Sequence, residues 1–265
     1  MDLTEILKSL ELGKISVSEA KKMLSLYSVE QIEGFAKIDV SRKLRRGIPE
    51  VIFAEKKELL DLKKIILTTT SKTDSVLVSR INKDHYKKIL VFSKQNKLKT
   101  HTGKNTTTVL FAKKLNSTGG KVGILTAGTS DIGVAEEARL VCESMGCQCI
   151  CSYDIGIAGI HRLFPVIKKI IREEVDAIIV VAGMEGALAS VVSSLVDIPV
   201  IGVPSSVGYG YGEKGVAALA SMLQSCTLGL SVVNIDNGIG AGAFAANIAN
   251  RSVRKKSGFD NSKTS

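Results

Sequence analysis

From Lys121 to Asn250 the chain alternates short, mostly apolar runs with longer amphipathic ones, and no other feature restricts its fold as tightly. The apolar runs are KVGILTA, CQCICSY, DAIIVVAG, IPVIGVP and LSVVNID. Between and after them come DIGVAEEARLVCESMG, AGIHRLFPVIKKIIREE, EGALASVVSSLV, EKGVAALASMLQS and GAGAFAANIAN. A half-exposed strand alternates apolar and polar residues, so continuous apolar runs read as strands covered on both faces. A helix after each strand makes the sheet parallel, and right-handed crossovers distribute the helices over its two faces. The expected fold is α/β, a five-stranded parallel sheet in a three-layer αβα arrangement.

The segment before it differs in kind. Residues 1–118 carry a net charge of about +11, residues 119–250 about −5 and the remainder about +4, within a total of +10. LTEILKSLELG and SVSEAKKMLSLYS read as two amphipathic helices, the second capped by Ser16 or Ser18. EVIF, SVLVSRI and TTTVLFAK read as strands around the helices KKELLDLKKIIL and NKDHYKKILVF. LNSTGG, residues 115–120, reads as the linker. The expected organisation is a small basic α+β domain over 1–117, the αβα domain over 118–250, and a disordered basic tail over 251–265. The lysines fall on outer helix faces without interleaved aromatics, which argues for a solvated surface and against a nucleic-acid partner. No stretch of about 18 apolar residues is present, and MDLTEILKSL lacks a basic leader and an apolar core. The chain is therefore expected to be cytoplasmic, with no membrane partner.

An open parallel sheet binds ligands at the carboxyl ends of its strands. The informative loops are AGTSD (127–131), YDIGIAG (153–159), AGMEGA (182–187), PSSVGYGYG (204–212) and DNGIGAG (236–242). Their glycines admit close backbone approach, and N–H groups at helix starts attract anions, so a phosphorylated ligand is expected. Candidate contacts are Thr129, Ser130 and Asp131, which otherwise serve as an N-cap, together with Gly183, Met184, Ser205, Asp154 and His161. Asp236-Asn237-Gly238 reads as a turn with glycine at φ > 0. GIGAGA (238–243) matches a dinucleotide fingerprint only formally, because it follows the last strand. Glu185, at the mouth of the central strand, is expected to be poorly solvated and suited to acid-base work. Its plainer role is to favour the dipole of the next helix.

Five cysteines, an odd number, argue for free thiols. Cys147, Cys149 and Cys151 share one face of their strand and lack acid or histidine partners at ligand spacing, so burial is their expected role. Cys226 lies among Gln224, Ser225 and Thr227, outside the strand core. A residue between a helix and the following strand falls at the amino end of the sheet, away from the five loops. Cys226 reaches them only through another subunit or an unusual chain path; otherwise it is filler.

GILTAGTSDIGVAEEA, DIGIAGIHRL, VVAGMEGALASVV, IPVIGVPSSVGYG and SCTLGLSVVNIDNGIGAG together resemble the LarB family of nickel-pincer nucleotide biosynthesis. GFAKIDVSRKLRRGIPEVIF resembles its first-domain signature, and the resemblance spans about Gly34 to Arg251. The second half is also similar to the aminoimidazole ribonucleotide carboxylases and mutases of purine synthesis, which have a flavodoxin-like three-layer fold and form octamers with shared sites. The resemblance implies carboxylation at C5 of the pyridinium ring of nicotinic acid adenine dinucleotide. It also implies hydrolysis of the phosphoanhydride to AMP and pyridinium-3,5-biscarboxylic acid mononucleotide.

Thiolate addition at C4 would make C5 an enamine carbon able to attack CO2; loss of the C5 proton and of the thiolate would restore the ring. Cys226 would be that thiolate, Glu185 would move the proton or position the ring, and Arg42 and Arg45 would contact phosphate or carboxylate. CO2 or bicarbonate is the implied co-substrate, Mg2+ the implied ion with ligands unassigned, and no tightly bound organic cofactor is implied. The implied assembly is a homo-oligomer, an octamer by analogy.

The purine enzymes carry a histidine in the loop where this chain has Glu185. Against the LarB pattern, Ala189 replaces proline, Thr227-Leu228 replaces Ala-Pro, and Val40-Ser41 stands where histidines are frequent. A purine-type carboxylase or mutase, and a non-catalytic nucleotide-binding module, are the alternatives.

Overall fold

The computed structural model describes residues 3–24, 30–32, 36–39 and 42–261, so Val40 and Ser41 lie outside the described residues. The chain divides into two compact units. One comprises 1–100 with 111–114, the other 101–110 with 115–265. The expected boundary lay at residue 117; the ten residues 101–110 cluster instead with the later unit.

The first unit opens with helices α1 (Leu3–Glu11) and α2 (Val17–Leu24). Ser16 caps α2 reciprocally: its Oγ accepts the Glu19 N–H at 3.2 Å, while its own N–H donates to the Glu19 carboxylate at 2.8 Å. A short antiparallel pair, β1 (Glu30–Ile32) and β2 (Ala36–Ile38), and the five-residue α3 (Arg42–Arg46) follow. Neither the pair nor α3 is signalled by periodicity, because each is too short to show any. The larger sheet runs β3-β4-β6-β5. Its strands are β3 (Glu50–Phe53), β4 (Ser75–Ser79), β5 (Thr100–Thr102) and β6 (Val109–Ala112), with α4 (Leu59–Lys72) and α5 (Lys83–Gln95) between them. Leu62, Ile66 and Ile89 are fully buried one-sided helix residues, as the α4 and α5 patterns require.

The second unit is the three-layer α/β fold that the alternation requires. Its strands are β7 (Lys121–Thr126), β8 (Gln148–Ser152), β9 (Ala177–Ala182), β10 (Val200–Pro204) and β11 (Leu230–Val232). Their order is β11-β10-β9-β7-β8, and every pairing is parallel. The chain moves one way from β7 to β8 and then returns past β7 to β9, so the order reverses at β7. All six residues of β9 are buried. On one side Leu163, Ile170, Leu188 and Val192 pack against Ile178 and Val180, each contributing about 1.5–3 kcal/mol by burial.

The helices are α6 (Ile132–Ser144), α7 (Leu163–Arg172), α8 (Ala187–Leu195), α9 (Val216–Leu223) and α10 (Gly238–Asn261). The α6 and α10 backbones nearly touch: a Cβ on Gly238 would lie 2.2 Å from the Val134 carbonyl, and one on Gly242 2.6 Å from that of Ala138. Two glycines one helical turn apart are what this approach demands, which accounts for GIGAGA without a dinucleotide.

Two segments depart from expectation. The helix expected from Ala158 begins only at Leu163, after a 3-10 turn (Ile157–Arg162) broken at Gly159 (φ −131°, ψ 58°). This start puts Pro165 in the first turn of α7, where its missing N–H and ring are tolerated; a start at Ala158 would put it inside the helix. At the other end, α10 runs through Asn261 and takes up eleven residues of the tail expected to be disordered. Extending a formed helix adds one hydrogen bond per residue without a new nucleus.

Candidate active site

The carboxyl ends of β7, β9, β10 and β11 meet around one buried carboxylate. Asp131 ends a 3-10 turn (Thr129–Asp131) that leads into α6, and its side chain turns back to accept the Gly128 N–H at 2.8 Å. Its other oxygen accepts the Ser205 hydroxyl at 2.6 Å, joining the loop after β7 to that after β10. Burial pushes the Asp131 carboxyl up, and nearby Asp236 pushes it further; the Ser205 and Gly128 bonds oppose them. Asp236 accepts the Ser206 N–H at 2.8 Å, which ties in the loop after β11. The Val207 carbonyl accepts the Met184 N–H at 3.0 Å and ties in the loop after β9. Gly183 is obligatory here, because a Cβ would meet the Val207 carbonyl oxygen at 2.1 Å and the Ser205 hydroxyl at 2.8 Å.

Three of these loops place a non-glycine residue in the left-handed region: Asp154 (φ 59°), Met184 (φ 52°) and Asp236 (φ 54°). Such backbone costs roughly 1 kcal/mol or more per residue and gathers where a scaffold must aim its loops. In the turn after β11 it is Asp236, and not glycine as expected, that takes positive φ. An aspartate tolerates this conformation by bonding locally.

The expected ligand contacts divide by exposure. Asp131 and Ser205 are buried, while Thr129, Ser130 and His161 are exposed. Asp154 bonds the Arg162 guanidinium at 2.8 Å on the surface. Glu185 is exposed, contrary to the poor solvation expected of it. It also precedes the first turn of α8, because Gly186 takes the left-handed N-cap position (φ 68°). Both departures have one cause: the chain swings outward past the end of β9 before turning into the helix. In the first unit, Arg45 pairs with Asp39, and Arg42 lies 3.6 Å from Glu50.

A second polar node was not foreseen. Glu136, on α6, accepts from Arg139 (Nε 3.0 Å, Nη2 2.7 Å), from the Tyr153 hydroxyl and from the Lys104 N–H at 3.2 Å. Burial acts to raise its carboxyl, yet these donors together hold it below the usual range. Arg139 also bonds Glu143 at 2.6 Å and the Thr102 carbonyl at 3.0 Å. The i,i+3 and i,i+4 spacing of Glu136, Arg139 and Glu143 was legible, but the partners from 102–104 were not.

The cysteines fall into two environments. Cys142 and Cys147 are buried; Cys149 and Cys151 are partly so. Cys147 is pushed up to about 12 and Cys151 to about 11, chiefly by burial, which suppresses their thiolates. Cys226 is exposed. It sits at the amino end of the sheet, as expected, in a turn held to α8: Ser190 and Ser225 hydroxyls bond at 2.8 Å, and the Ser193 hydroxyl donates to the Leu228 carbonyl at 3.1 Å. Leu223 and Leu228, close to it in the sequence, are 68 % and 93 % exposed.

The second unit is a five-stranded parallel α/β domain whose strand order reverses at β7, and its class comes from comparison: residues 121–257 match the AIR carboxylase family. Residues 29–109 match the LarB/PurE-like N-terminal domain, and with this pairing the chain belongs to the LarB-like branch of that family. Over 253 residues it is 46 % identical to the uncharacterized protein MJ0165 of Methanocaldococcus jannaschii, covering 94 % of this chain and 97 % of that one. The second half is similar to N5-carboxyaminoimidazole ribonucleotide mutases. It is 30 % identical to that of Thermotoga maritima over 48 % of this chain and 74 % of the relative. For Pyrococcus horikoshii the values are 31 %, 48 % and 71 %. The family supports an enzyme of carboxylase or mutase type.

Proposed function

We propose that the protein carboxylates C5 of the pyridinium ring of nicotinic acid adenine dinucleotide and hydrolyses its phosphoanhydride, releasing AMP and pyridinium-3,5-biscarboxylic acid mononucleotide. The observation that carries this reading is the succession of a LarB-type first domain and a carboxylase-type second one in a single chain. The mutase relatives match only about half of it.

The chemistry assigns each group one task. Cys226 thiolate adds to C4 of the electron-poor ring, giving a dihydropyridine whose C5 attacks CO2. Glu185 takes the C5 proton, and expulsion of the thiolate restores aromaticity. Water then cleaves the phosphoanhydride, with AMP as the leaving group. Asp131, Ser205 and Gly183 shape the ligand pocket, and Thr129 and Ser130 offer a phosphate the start of α6. Among the described residues no three His, Cys, Asp or Glu side chains are grouped to hold a metal ion. Mg2+ is proposed to arrive on the dinucleotide's phosphates, as this ion commonly does.

Cys226 and the five loops lie at opposite ends of the sheet, so the reaction requires the thiol of one subunit to meet the loops of another. The exposed Leu223 and Leu228 support this shared arrangement, as burial against a second copy would cover them. The test presents the purified protein with bicarbonate and, separately, nicotinic acid adenine dinucleotide or aminoimidazole ribonucleotide, with products identified by mass spectrometry. AMP and the dicarboxylated mononucleotide are expected from the first; carboxylation of the second alone would establish the purine reading instead.

A further inference from the structure

Helices α4 and α5 of the first unit flank a surface groove of about 330 Å³ whose charge is of one sign. Lys63 of α4 lines it with Lys87, Lys88, Val91, Phe92 and Gln95 of α5, and among the described residues no carboxylate stands on its wall. The sequence sets this lining. Lys87 and Val91, Lys88 and Phe92, and Val91 and Gln95 are each four residues apart, so they share a strip of α5 about two turns and 12 Å long. Ile89 and Ser93 are buried and hold another side of α5 to the core.

The lysines lie on outer helix faces, as expected, but those faces are not wholly polar. Val91 is 56 % exposed, and on α4 Leu60 and Leu67, three residues before and four after Lys63, are 72 % and 40 % exposed. Single exposed apolar residues are ordinary; three on the adjoining faces of two helices mark a contact surface. The cations beside them are uncompensated. The Lys63 ammonium lies over the Phe92 ring, 5.2 Å from its centroid, which places it without neutralising it. Neither Lys87 nor Lys88 is ion-paired among the described residues, although Asp84 stands three and four positions before them. The pattern calls for an occupant with its inverse, carboxylates flanking an apolar stripe. A groove running along two helices fits a third helix, whose stripe recurs every three to four residues. A free phosphate would use the lysines and leave Leu60, Leu67 and Val91 bare. A single-stranded nucleic acid needs open aromatic faces, and Lys63 covers one face of the single ring here.

We infer that the groove between α4 and α5 is the docking site for an acidic amphipathic helix of a partner protein. The helix lays its apolar stripe on Leu60, Leu67 and Val91, and its carboxylates pair with Lys63, Lys87 and Lys88. These pairs lie at the rim, so they govern encounter and salt dependence more than the strength of the final contact. The inference stands whether or not the second unit carboxylates a pyridinium ring.

The test follows the full chain by fluorescence anisotropy with a labelled helical peptide of about five turns, leucine at every third or fourth position and glutamate elsewhere. Saturable binding is expected with Kd below about 100 μM. It should weaken at least about tenfold between about 0.05 M and about 0.5 M salt. Peptides with lysine in place of glutamate, or serine in place of leucine, are expected not to bind. Lys87→Glu with Lys88→Glu, at exposed positions that leave Ile89 and Ser93 in place, should weaken the acidic peptide by about tenfold or more. Hydrogen exchange should show protection over 60–67 and 87–95. No saturation below about 100 μM, protection confined to other segments, or an unchanged Kd in the double variant would each overturn the proposal. Equal binding of the serine-substituted peptide would make the groove a general polyanion surface, and binding of phosphatidylserine vesicles in place of the peptide would assign it to a membrane; either result also overturns it.

Discussion

Asp131 is the residue on which the loop arrangement turns, and its charge state is open to direct test. Its folded carboxyl is raised by burial, so protonation favours the folded form. The stabilisation from that proton is complete below the ordinary aspartate value of 3.8 and is lost as pH rises through the raised folded value. Asp131→Asn keeps both hydrogen bonds, its oxygen accepting from Gly128 and its amide donating to Ser205. The variant is expected to fold normally and to lose this pH dependence of stability, measured by urea unfolding from pH 4 to 7. A dependence identical to that of the parent would show that another group titrates. Gly183→Ala tests the geometry alone: with 2.1 Å from Cβ to the Val207 oxygen, the loop must move. A loss of roughly 1–3 kcal/mol is expected in the same assay, and an unchanged midpoint would contradict the close approach. The sequence marked Asp131, Gly183 and Ser205 as loop residues near strand ends. It did not show that Asp131 would be buried, because that follows from Ser205, 74 positions away, closing over it.

At the scale of elements, α6 connects the two polar nodes, with Asp131 at its start and Glu136, Arg139 and Glu143 along one side. Glu136 is held below the ordinary range, so its stabilisation is present above about 4.5 and lost as pH falls through the depressed folded value. Arg139→Ala is expected to cost about 3 kcal/mol at pH 7 by leaving Glu136 buried without its main partner. The difference from the parent should shrink in acid as Glu136 protonates; a pH-independent difference would mean that Arg139 acts through packing. The hydrophobic pattern revealed all five strands and five helices of the second unit, although β11 keeps only three residues of the run LSVVNID and was legible from its place in the strand-helix alternation rather than from its length. It overextended the helix at Ala158, where Gly159 and Pro165 overrule an apolar pattern, and it passed over β1, β2, α3 and β5, three to five residues each.

For the whole molecule, the positions of Cys226 and the five loops cannot both serve one site within a single copy of the sheet. This separation was legible in the order of helices and strands, before any coordinates, because chain direction alone fixes which end of a parallel sheet a connection occupies. The partner that would close the gap was not, since self-association leaves little trace in a sequence beyond residues such as Leu223 and Leu228. Association is expected to be obligatory for turnover: sedimentation should give a mass of several chains, and a fully active monomer would refute the shared site. The most direct measurement supplies nicotinic acid adenine dinucleotide, Mg2+ and 13C-bicarbonate to the wild type, to Cys226→Ala, to Glu185→Gln, and to the two variants dissociated and reassembled together. Wild type should form AMP and a mononucleotide carrying one added labelled carboxylate. Each variant alone should fall by about a thousandfold or more, and the mixed assembly should recover a substantial fraction of the wild-type rate. Cys226→Ala turning over at the wild-type rate, or a wild type that forms no labelled product, would contradict the account.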